Sequence, residues 1–189
     1  MNLDTRENIL KTAQTLAQSR GFNGFSYADV ADKVGIRKAS IHYYFPSKDD
    51  LELALLQRYN AHFSDSLAII DQSNADCTQR LRAYGSLYRS TLESGGICLC
   101  GMMASDIMAL PETLRAPLSV FFNEQTTWLS TLLEAGRRNG EFIFAGASEQ
   151  RAQSALASLQ GGLMLAHALR DVKLFDTLMD DLLTGVGHR

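Results

Sequence analysis

The chain has 189 residues, 46% of them hydrophobic, a net charge of −3 and three prolines. No apolar stretch reaches the ~20 residues of a membrane span, and the N-terminal Met-Asn-Leu-Asp-Thr-Arg has no apolar signal run; the protein is therefore expected in the cytoplasm. Three cysteines, an odd number, argue against a disulfide framework in that compartment. Ala, Leu, Gln and Arg are frequent and β-branched runs are absent, which predicts an all-α fold. Residues 1–50 carry seven Lys/Arg against six Asp/Glu, and residues 51–189 carry 11 against 15. A mildly basic head on an acidic body fits a small nucleic-acid module joined to a partner domain.

Asp4 with Glu7 has the spacing of a capping box, and Ile9, Leu10, Ala13, Leu16 and Ala17 follow at helical intervals. Gly21 ends that helix, with Phe22 and Phe25 as core plugs around the turn. Ser26 and Asp29 repeat the capping pattern before a short helix bearing Tyr27, Val30, Ala31 and Val34. Gly35 can take the positive φ of a tight turn, and Ala31 four residues earlier lets two helices approach closely. Val30, Val34, Ile36, Ile41 and Tyr44 then form the core of a helix-turn-helix.

That arrangement leaves Arg37, Lys38, Ala39, Ser40, His42 and Tyr43 facing outward. Arg37 can grip guanine bidentately, Ser40 can meet several bases, and Ala39 is small enough for a thymine methyl. Ser47 and Asp50 cap the next helix, with Lys48 in its first turn placed for a phosphate. A basic pair on a short helix is ordinarily just a solvated face. Here the turn glycine, the small residue, the five apolar positions and the basic face all agree.

Residues 9–51 resemble the DNA-binding head of the TetR family of bacterial transcription regulators. The family phrase runs glycine, an apolar residue, Ser-Lys-Gly-Thr-Leu-Tyr-His-Tyr-Phe, then Ser-Lys-Glu-Glu-Leu, and Gly35 through Leu51 follow it. The departures are His42-Tyr43 where Tyr-His is usual and Arg37 where serine is frequent. The resemblance implies backbone contacts from Tyr27, Lys38, Tyr43, Tyr44 and Lys48, and base-facing roles for Arg37, Ala39, Ser40 and His42. It also implies a dimer that binds two half-sites.

Beyond the head, Leu51, Leu55, Tyr59 and Phe63 mark a connecting helix running toward a polar linker at Asp71–Asp76. Asp76 or Thr78 starts a helix through Leu81, Tyr84, Leu87, Tyr88 and Leu92, closed by Gly95-Gly96. Ile97–Met108 reads as a short Met-rich helix, and Leu114 to Leu133 as a long one with Pro117 in its first turn or at a kink. Residues 148–170, dense in Ala and including Gly161-Gly162, and a final helix of about Leu174–Leu183 have the small-residue and wide apolar faces of a homodimer interface; an ordinary internal core is the alternative.

No P-loop, no Gly-x-Gly-x-x-Gly and no His-Glu-x-x-His occurs, and Cys98-x-Cys100 has no second Cys/His pair at zinc spacing; the expectation is neither enzyme, cofactor nor metal site. The architecture expected is a three-helix DNA-binding domain over 1–50 and an effector-binding and dimerisation domain over 51–189, about nine helices in all. The function expected is a repressor released from a double-stranded operator by a small, mainly apolar effector. Tyr84, Tyr88, Met102, Met103, Phe121, Phe122, Trp128, Met164 and His167 are the candidate lining of its pocket. The alternative is a thiol-switched regulator triggered at Cys98 or Cys100 near a helix N-terminus.

Overall fold

The computed structural model describes residues 3–73, 75–108 and 110–187, and the regular secondary structure among them is helical. Nine α-helices occur among the described residues: α1 (Leu3–Arg20), α2 (Tyr27–Val34), α3 (Lys38–Tyr44), α4 (Lys48–Gln72), α5 (Cys77–Glu93), α6 (Leu99–Ser105), α7 (Glu112–Arg138), α8 (Ser148–Leu169) and α9 (Val172–Gly185). A 3₁₀ turn, Phe22–Gly24, links α1 to α2. None of these helices is long and apolar enough to cross a membrane.

Three helix starts follow their sequence signals. Ser26 and Asp29 cap α2 reciprocally, Ser47 and Asp50 do so ahead of α4, and Asp76 with Gln79 opens α5. Each pair satisfies two backbone N–H groups that a helix end otherwise leaves open. The expected pair at Asp4 and Glu7 does not form. Asp4 lies inside α1 and accepts from Asn8, while the Glu7 carboxylate is taken by Arg58 Nε at 2.6 Å. Arg58 also donates to Gln14, so one guanidinium on α4 holds two side chains of α1.

The packing divides into two compact units; the chain passes between them inside α4, just ahead of α6 and inside α7. The first comprises Met1–His62 with Leu99–Ser119. Its core is built on Ile9, Leu10, Ala13, Leu16, Ala17, Val30, Ile41, Phe45, Leu51 and Leu55, all buried. Phe25 is a buried plug as expected, whereas Phe22 is only half-buried. The second comprises Phe63–Cys98 with Val120–Arg189. There α5, α8 and α9 pack together, and Gly85 and Gly162 let the backbones approach. A β-carbon at Gly162 would lie 2.8 Å from Leu178 Cδ1.

Two expected element boundaries move, and Pro117 falls outside the first turn of its helix. The apolar run 97–108 forms a helix only over Leu99–Ser105, leaving Cys98 ahead of it and Ile107 and Met108 exposed beyond it. Pro117 lies in the second turn of α7, past the positions where its missing N–H costs nothing. The last helix starts earlier than expected, at Val172, because Asp171 accepts from the N–H groups of Lys173 and Leu174.

Candidate functional site

The turn between α2 and α3 is set by Gly35, whose φ of 76° is left-handed. Its N–H and that of Ile36 both donate to the carbonyl of Ala31, ending α2 within one residue. Val30 and Ile41 are fully buried beneath the turn, while Val34, Ile36 and Tyr44 form a half-buried rim rather than its centre. The second helix is thereby aimed with one face free.

That face carries Arg37, Lys38, Ala39, His42 and Tyr43, all exposed, with Ser40 and Tyr44 half-buried beside them. Tyr43 is 73% exposed, a large aromatic surface, and its ring meets that of Tyr44 edge-on at 5.3 Å. Arg37 stands at the N-cap of α3. The His42 ring lies 4.8 Å from that of Tyr27, and its Nδ1 faces the Pro46 carbonyl at 3.3 Å. A proton on Nδ1 leaves Nε2 as an outward acceptor, suited to a base amino group.

Two residues expected to contact the phosphate backbone are engaged within the head. Tyr27 is 8% exposed, and its hydroxyl donates toward the carbonyls of Phe45 and Ser47, at 2.9 and 2.5 Å. Burial, reinforced by Asp50, Glu52 and Asp49, pushes its pKa up to about 12, so the phenol stays a donor. Lys48 donates to the Phe22 carbonyl at 2.5 Å and sits over the Phe25 ring. Both tie the α3–α4 turn to the rest of the head. Tyr27→Phe should therefore leave two carbonyls short of a donor and destabilise the head by about 1–3 kcal/mol. Chemical denaturation would show this as a lower midpoint, and an unchanged midpoint would mean that the hydroxyl is not a clamp.

Arg58, the strap between α4 and α1, could not be read from local pattern, because its partners lie 51 and 44 residues away. Glu52 went unremarked for a similar reason. It is 8% exposed, and burial raises its carboxyl pKa against the lowering influence of Lys48. Its position in the apolar register of α4 was the available signal.

The second unit holds most of the expected pocket residues. Tyr84, Tyr88 and Phe121 meet around Phe63, with Trp128 stacked on Tyr84 and Phe122 edge-on to Phe121; neighbouring ring centroids are 5.2–6.1 Å apart. The two tyrosine hydroxyls are hydrogen-bonded at 3.0 Å. Tyr84 and Phe121 have no exposed surface, so the cluster is a packed core in this conformation. Gln125, within the apolar register of α7, is 1% exposed, and its Oε1 has no hydrogen-bond partner among the described residues. Met164 points outward from α8, correcting its expected place in the pocket, and His167 is half-buried in the last turn. Met102 and Met103 lie on α6 in the first unit, Met103 buried and Met102 half-buried.

Trp128 also borders an open groove of about 620 Å³ between α4 and α7. Cys98 and Cys100 flank the start of α6 and are buried; Gln160 donates to the first sulfur and the second donates to Asn60. Cys77 opens α5, where burial and the neighbouring Glu141 push its thiol up to about 11, far from a nucleophile at neutral pH.

The sequence model for bacterial regulatory proteins of the tetR family matches residues 9–55. Over 174 residues the chain is 30% identical to the HTH-type transcriptional repressor NemR of Escherichia coli (strain K12), covering 88% of this chain and 86% of that protein. The structure superposes on a TetR family transcriptional regulator from Agrobacterium tumefaciens with a TM-score of 0.92, 32% identity and 97% of each chain covered. It also superposes on the reduced form of E. coli NemR, with a TM-score of 0.82 and 24% identity, covering 98% of each chain.

Proposed function

This chain belongs to the tetR family of bacterial regulatory proteins, DNA-binding transcriptional regulators, and on that footing we propose that it is a homodimeric repressor released from its operator by a small, mainly apolar effector. The observation that carries the DNA-reading role is the face of α3, where Arg37, Lys38, Ala39 and His42 stand clear of the head that Tyr27 and Lys48 brace from behind. Arg37, Ala39, Ser40 and His42 read base edges, and Lys38, Tyr43 and Tyr44 hold the phosphate backbone. Tyr27 and Lys48 position α3, and Lys48 keeps two ammonium protons for a phosphate.

Dimerisation through α8 and α9 is supported by the surface of α8. Ser154, Ala157, Gly161, Met164 and Ala168 are all exposed at alternating intervals of three and four residues, with Leu165 and Leu169 alongside. This is the spacing of a helix seam whose small residues let a second helix come close. Gly162 already serves the packing against α9, whereas a β-carbon at Gly161 would meet nothing within 4 Å. Two heads then enter successive major grooves, about 34–36 Å apart. An effector that binds only a conformation with another spacing draws the population off the operator.

Nuclease footprinting of the purified protein on the DNA upstream of its own gene tests this reading. The expected result is two protected half-sites one helical turn apart, with protection fading steeply as salt rises. Protection of a single half-site, or binding indifferent to sequence, would defeat it. Release by thiol oxidation is a second reading, favoured by the likeness to a repressor solved in a reduced form; the burial of Cys98 and Cys100 weighs against it.

A further inference from the structure

The groove between α4 and α7 has a chemical bias that the aromatic core lacks. Its floor is apolar, formed by Leu67, Ala68, Val120 and the indole of Trp128, and at about 620 Å³ it is the size of a drug-like ligand site. The ionisable residues lining it are Asp71 and Glu124, both acidic. Trp128 is locked in place from two directions. One face stacks on Tyr84, at 5.2 Å and 20°, and its Nε1 donates to Asp71 Oδ2 at 2.9 Å.

A hydrogen bond to a carboxylate leaves the indole ring richer in electron density, which favours a cation beside it. Asp71 shares its other oxygen with Arg80, at 3.8 Å. Glu124 is exposed and makes no ion pair among the described residues, and it stands four residues before Trp128 on the same helix. At that spacing the carboxylate and the indole are neighbours on one face of α7.

From this juxtaposition we propose that the groove is the effector site and that it takes an organic cation with a flat apolar body. The body lies over Leu67, Ala68 and Val120 against the half-exposed indole, and the positive charge faces Glu124. The proposal rests on the repressor reading above and narrows its effector class. The packed aromatic cluster then serves as the rigid wall that holds Trp128, rather than as the cavity itself.

Three probes of similar shape separate the possibilities: N-methylquinolinium, neutral quinoline and 2-naphthoate, each titrated calorimetrically into the full-length protein at neutral pH. Release is followed separately by anisotropy of a labelled fragment carrying the footprinted operator. The expected result is saturable one-site binding of the cation, about tenfold tighter than quinoline, no binding of the anion, and operator release over the same concentration range. Glu124→Gln, at an exposed position, should weaken the cation about tenfold while leaving quinoline unchanged. Equal binding of all three probes, no saturable binding, or a cation affinity indifferent to Glu124→Gln would overturn the proposal. Saturable binding with no release would show that the groove is not the effector site. Failure of the unliganded protein to bind the fragment at all would count instead against the repressor reading.

Discussion

Arg37→Ala/Lys38→Ala is expected to lower operator affinity by about 10²-fold or more while leaving the fold untouched. Both side chains are exposed and neither makes a hydrogen bond or ion pair among the described residues, so their removal costs the head nothing internally. A bidentate arginine contact discriminates its base by about 1–3 kcal/mol, and a lysine on a phosphate adds counterion release. The two losses have different signatures. Losing Lys38 should weaken binding to every sequence and reduce the salt slope by about one, whereas losing Arg37 should relax the preference at one base pair. Fluorescence anisotropy on the operator and on single-base variants, across a salt series, separates them. Unchanged affinity with retained helicity would remove α3 from the interface.

A comparable loss should follow from a change far from the DNA. Leu165 is 56% exposed on α8, beside Gly161 and Met164, so Leu165→Glu should not disturb the monomer. In a dimer joined through α8 it places two like carboxylates in a desolvated apolar seam, where neither has a partner. The protein should sediment as a 20.8 kDa monomer instead of at twice that mass. Operator affinity should then fall by about 10²-fold or more, because one head no longer raises the effective concentration of the other. A dimer that survives the substitution would place the interface elsewhere and sever the link between α8 and DNA binding.

Much of the head was legible because its signals are local. A capping pair spans three residues and a turn glycine spans one, so Ser26–Asp29, Ser47–Asp50 and Gly35 could be read directly. The same rule failed at Asp4–Glu7 because a stronger, charge-assisted partner, Arg58, reaches Glu7 from another helix. A related competition acts at Tyr27 and Lys48, whose polar groups are engaged inside the head. Helical spacing says which side of a helix a residue occupies, but a long polar side chain can turn back and give its proton to a neighbouring carbonyl, as both do.

In the body, apolar periodicity identified the residues that gather around Phe63 but did not show whether they enclose a space or fill one. That depends on how several helices fit together at once, and the rings fit with Tyr84 and Phe121 fully covered. Likewise nothing near Trp128 in the chain announces Asp71, 57 residues away, as the acceptor of its N–H.

By itself, then, the sequence determined the helical class, the turn at Gly35 and the chemical character of α3, since these depend on contacts within a few residues. Only the tertiary structure decided which polar groups are spent inside the molecule, which face of α8 stays uncovered, and that the tryptophan borders an acidic groove. Those outcomes turn on competition between distant partners for the same protons and the same buried surface.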